Sequence, residues 1–94
     1  MNADNPALRE LLQVIAVCGV YHVGVDRTSG TESVRVDFED ADRIARFTAW
    51  DDSSCMLEIL CVCSGQYIIN ERCELTHGAG FKDTFDRFHL LLNP

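Results

Sequence analysis

The sequence predicts a two-layer α+β domain, an antiparallel four- or five-stranded β-meander with N- and C-terminal helices packed on one face. Three observations predict it. Apolar residues recur at helical spacing near both ends, they alternate with polar residues through the middle, and Gly, Ser and Asp clusters cut the middle into strand-length runs. At 94 residues, with 47% hydrophobic and 24% charged side chains, residues 1–94 suffice for one core and leave no room for a second domain.

The first helix begins at Asn5, a good N-cap, followed by Pro6, which suits the first helical position. Leu8, Leu11, Leu12, Ile15 and Cys18 then fall on one face, and Gly19 is a natural stop. From Val20 the period becomes two. Tyr21, Val23 and Val25 alternate with His22 and Gly24, the stretch from Asp26 to Thr31 supplies a Ser-Gly turn, and Val34, Val36 and Phe38 alternate with Arg35, Asp37 and Glu39.

A turn over Glu39 to Asp42 leads to a strand from Arg43 to Trp50, whose composition favours a strand over a capped helix. A turn over Asp51 to Ser54, a strand from Cys55 to Cys63, a turn at Ser64 to Gln66 and a strand from Tyr67 to Leu75 complete the meander. Pairing Cys63 with Tyr67 sets Glu58 opposite Arg72 and Leu57 opposite Cys73, whereas a slip of one residue sets Glu58 opposite Glu71. The first register is expected. It makes an apolar face of Leu57, Ile59, Cys61, Ile69, Cys73 and Leu75, joined by Phe47 and Ala49. A helix from about Phe81 to Leu92 closes the chain, with Phe81, Phe85, Phe88 and Leu92 on the side that covers the same sheet face.

The net charge of −7, from 15 acidic and 8 basic residues, repels phosphate backbones and anionic membranes, so neither nucleic acid nor a membrane is the expected partner. A basic protein is. The N-terminal stretch has no signal-peptide pattern and no run long enough to span a membrane, so a cytoplasmic chain with five reduced cysteines is expected.

Cys61, Cys63, Cys73 and His77 invite a zinc reading, but the expected register holds Cys61 and Cys73 roughly 13 Å apart at ~3.3 Å per residue. No metal and no cofactor is expected. Cys55 and Cys73 approach diagonally and could form a disulfide under oxidation. His22, His77 and His89 lie on a strand, a linker and a helix, which places none of them to activate a particular cysteine. Asp37, Glu39, Asp40, Asp42, Asp51 and Asp52 sit on or beside the meander, mostly at turns, where Asp caps backbone groups in solvent instead of doing acid–base chemistry. The expectation is a binding protein without catalysis. Alternation sends Arg46, Thr48 and Trp50 to the uncovered sheet face beside Met56 and Glu58, the composition of a protein-binding hot spot.

Val34 to Glu39, Arg46 to Trp50, Leu57 to Leu60, Ser64 to Gln66, Glu74-Leu75 and the Phe-rich final helix together carry a resemblance. Over roughly residues 32–92 the chain resembles the TriTu-type immunity proteins of bacterial polymorphic-toxin and contact-dependent inhibition systems, small cytosolic proteins that neutralise a cognate toxin domain. The resemblance implies a cognate toxin as partner, with Trp50 and Glu58 as contact positions. Joined to the residue reading, it gives a contact surface of Asp37, Glu39, Trp50, Asp51, Asp52 and Glu58, with acidic side chains standing in for phosphate before a basic toxin such as a nuclease. A monomer is expected. The alternative is a small acidic secretion chaperone or adaptor that holds an extended partner segment, for which a stable dimer is expected.

Overall fold

A computed structural model describes residues 2–76 and 80–92. Helix α1 runs Pro6–Cys18, and the Asn5 side chain accepts the N–H groups of Ala7 and Leu8 at 2.9 and 3.1 Å, two of the donors that a helix start leaves without partners. Gly19 ends it with a φ of 72°, a left-handed conformation that costs a glycine little. Strands β1 (His22–Thr28), β2 (Thr31–Glu39), β3 (Arg43–Trp50), β4 (Ser54–Cys61) and β5 (Gln66–Glu74) follow, then helix α2 (Lys82–Leu92). The five strands form one antiparallel sheet in sequence order.

The first hairpin turn is tighter than expected. Only Ser29 and Gly30 turn, with φ of 54° and 80°, because two successive left-handed residues match the twist of the flanking strands. Asp26, Arg27 and Thr28 therefore belong to the ladder.

The last hairpin departs from the expected register. Strand β4 stops at Cys61, opposite Gln66, since Val62 donates its N–H to the Asp42 carbonyl at 2.9 Å and Gly65 closes the turn onto the Cys61 carbonyl at 2.9 Å. A bulge at Ile68 then shifts the ladder by one residue, so that Tyr67 faces Leu60 while Ile69 faces Ile59. Glu58 consequently pairs with Asn70 and not Arg72, Leu57 with Glu71, and Cys55 directly with Cys73 and not diagonally. Beyond the bulge the displacement is two residues, one full side-chain period, so Ile69 and Cys73 still face the core. Before the bulge it is an odd number, which turns Tyr67 to the opposite face.

Both helices cover one side of the sheet. Leu8, Leu11 and Ile15 of α1 and Phe85, Phe88 and Leu92 of α2 join Val34, Val36, Phe47, Leu57 and Ile59 in one buried cluster. The Phe47 ring packs edge-on to Phe85 with centroids 5.5 Å apart, and a buried side chain of this kind contributes roughly 1.5–3 kcal/mol. Tyr21 joins the aromatic group, its hydroxyl 2.6 Å from Nδ1 of His89.

Glu32 ties the N-terminus to the sheet. Only 6% exposed, its carboxylate accepts the N–H groups of Asp4 and Asn5 at 2.8 and 2.7 Å and the Nε of Arg27 at 2.8 Å. At the far end of the sheet, Arg43 bonds Asp40 at 2.8 Å and the Leu92 carbonyl, which anchors the end of α2. No described helix is long and apolar enough to cross a membrane.

Candidate functional site

The sheet face away from the helices is open, and strand alternation decides what it carries. One cross-strand row runs Asp37, Arg46, Glu58, Asn70; the next runs Arg35, Thr48, Met56, Arg72. Trp50 stands beyond them, opposite Ser33, half-buried. A shallow groove of about 340 Å³ crosses this region, with Trp50, Met56 and Glu58 on its wall.

The arginines on this face are engaged within it. Asp37 bridges two of them, taking Nε of Arg35 at 3.0 Å and Nε of Arg46 at 2.7 Å. That bond, with Glu58 nearby, holds the Arg46 charge more firmly than usual. The Arg72 guanidinium reaches across β4 to lie 5.2 Å from the centroid of the Trp50 ring.

The acidic residues divide by what they already bind. Asp51 accepts the Glu32 N–H at 2.8 Å and donates its own N–H to the Glu32 carbonyl at 3.0 Å. Asp52 caps the next strand by accepting the Ser54 hydroxyl and the Ser54 N–H, the latter at 3.0 Å, which keeps its carboxyl below the usual carboxylate range. Glu39 is exposed at the end of β2, opposite Ile44. Trp50, Asp51 and Asp52 thus stand at one end of the face and Glu39 at the other, six residues or roughly 20 Å along β3 at ~3.3 Å per residue, with Asp37 and Glu58 between them.

Sequence reasoning missed Ile44, Leu60 and Tyr67, one cross-strand row at the Glu39 end of the same face. Alternation from Ala45 and Ile59 would have found the first two. Tyr67 had no such signal, because the Ile68 bulge sets its side.

The cysteines are spread through the structure. Cys55 is buried beside Cys73, and burial pushes its thiol up to about 12, while Cys73 is raised by burial and by Glu71, whose carboxylate accepts its Sγ at 3.4 Å. Cys61 lies six residues from Cys55 along β4, its thiol lowered by the Ser64 hydroxyl and amide. Among the described residues no three His, Cys, Asp or Glu side chains converge to hold a metal ion. His89 faces Tyr21, and His77 lies outside the described residues.

A comparison with curated proteins finds none that matches the chain. The family model for the immunity protein TriTu matches residues 10–91, from within α1 almost to the end of α2. The match takes in every strand of the sheet. The chain belongs to the TriTu immunity protein family, whose role is to neutralise a toxin.

Proposed function

We propose that this chain binds a cognate bacterial toxin domain through the open sheet face, as a cytoplasmic monomer, and neutralises it by occupying its active site without catalysis. The observation that carries the reading is Trp50, a half-covered aromatic beside Met56 and Glu58, since interface hot spots are enriched in aromatic anchors set among polar neighbours. Charge supports it. With Arg35 and Arg46 held on Asp37 and Arg72 laid over Trp50, the carboxylates of Glu39 and Glu58 are available, and Asp37, Asp51 and Asp52 keep lone pairs beyond their internal bonds.

Such a surface steers a basic partner. A nuclease, whose site is built to receive phosphate, is the toxin class it suits best. The test is the affinity of the purified chain for its cognate toxin domain. Replacing Trp50 and Glu58 together by Ala weakens binding by at least ~2 kcal/mol if they are hot-spot residues. Unchanged affinity removes this surface.

A further inference from the structure

The end of the open face farthest from Trp50 is apolar. Ile44, Leu60 and Tyr67 lie side by side on three adjacent strands, a row roughly 10 Å wide at the ~4.8 Å spacing between strands. Ile44 and Tyr67 are 47% and 52% exposed, and with Leu60 they line a depression of about 240 Å³. An isolated surface Leu or Ile is ordinary, but here three apolar side chains adjoin in one row beside a concavity, the arrangement into which a partner's apolar side chain fits. Tyr67 is there only because of the bulge at Ile68. A regular strand would have turned it toward the helices, as it does Ile69.

The surroundings specify the occupant. Glu39 is opposite Ile44, Glu58 is two residues from Leu60 on the same face, and Asp42 sits in the adjoining turn. Arg46, the one cation among the described lining residues, is held by Asp37 at 2.7 Å. An apolar patch with a carboxylate rim takes an apolar side chain flanked by Lys or Arg. The Trp50 end offers the reverse, an aromatic ring under a cation.

We propose that Ile44, Leu60 and Tyr67 form the apolar anchor site of the interface, receiving an apolar side chain from a lysine- or arginine-rich surface of the toxin domain. This rests on the toxin-binding reading and adds a second contact region to it. Tyr67 is the expected hot spot, being a rigid aromatic ring among apolar neighbours.

The test is calorimetric titration of the toxin domain into wild-type chain, Tyr67→Ala, Tyr67→Phe, Tyr67→Lys and the Trp50→Ala/Glu58→Ala pair, with the fold of each checked by circular dichroism. The expected result is a loss of roughly 30-fold or more for Tyr67→Ala, a larger loss for Tyr67→Lys, and near-normal binding for Tyr67→Phe. Wild-type affinity in Tyr67→Ala beside a weakened Trp50/Glu58 pair overturns the anchor and leaves the toxin reading standing. Wild-type affinity in all of them overturns the anchor and the open-face assignment while toxin binding stands, and no binding by the wild-type chain overturns the toxin reading with the anchor. A wild-type dimer that Tyr67→Ala dissolves assigns the row to a second copy and overturns the anchor.

Discussion

Arg72 lies across the sheet from Trp50 with its guanidinium 5.2 Å from the ring centroid, so the face's one tryptophan is sheltered by a cation from the edge strand. The contact joins β3 to β5 over the top of β4. Removing it exposes an aromatic ring without touching the core.

Because Trp50 is the chain's only tryptophan, its fluorescence reports on that contact. Arg72→Ala is expected to shift the emission to longer wavelength as water reaches the ring, while costing at most ~1 kcal/mol of stability, the scale of an exposed cation–π contact. An unchanged spectrum contradicts the stacking.

Acid should loosen the N-terminal tether. Two backbone N–H groups, from Asp4 and Asn5, with help from Arg27, hold the Glu32 carboxyl below its ordinary value of 4.5. A lowered folded-state value means the contribution is present above about 4.5 and is lost as pH falls through the lower folded value. Glu32→Gln is expected to lower the melting temperature by several degrees at neutral pH and to flatten the acid limb of the stability profile. Thermal melts across pH check this, and a profile parallel to that of the wild type contradicts it.

At the alkaline end the sign reverses. Burial raises the Tyr21 phenol to about 12, so above pH 10 the unfolded chain ionises first and stability declines as pH rises toward the folded value. Tyr21→Phe is expected to remove that part of the decline. It loses the bond to His89 and costs about 0.5–1.5 kcal/mol at neutral pH by denaturant titration.

Alkylation should sort the thiols by environment. Cys63 is exposed and the Cys61 thiol is lowered by Ser64, whereas Cys55 is buried and raised to about 12. Iodoacetamide under native conditions is expected to modify Cys61 and Cys63 first and Cys55 only on unfolding, because the thiolate is the reacting form. Peptide mass mapping checks the order, and early labelling of Cys55 contradicts it.

The sequence made some elements plain and hid others. Asn5, Pro6 and Gly19 delimit α1 because capping chemistry is local, and the alternation around Val34, Val36, Phe47 and Ala49 gives the strands and the face they bury. The Ser29-Gly30 turn was legible too, though not that the two strands pair right up to it. The register of the last hairpin could not be read the same way. It depends on Val62 bonding to Asp42 in a different hairpin and on the bulge at Ile68, both of which are tertiary choices. Trp50 and Glu58 are therefore legible as open-face residues, while the Asn70 neighbour of Glu58 and the outward side of Tyr67 are not. Asp51 and Asp52 were legible as turn residues. That Asp51 also locks onto Glu32 was not, since nineteen residues separate them.

Contact between the open sheet face and the toxin can be read residue by residue in an NMR titration of isotope-labelled chain with the toxin domain. Shift changes are expected at Glu39, Ile44, Trp50, Glu58 and Tyr67, with the exposed α1 residues Arg9, Gln13 and Ala16 unmoved. Changes confined to the helical layer, with the Trp50 indole resonance unaltered at saturation, would contradict it.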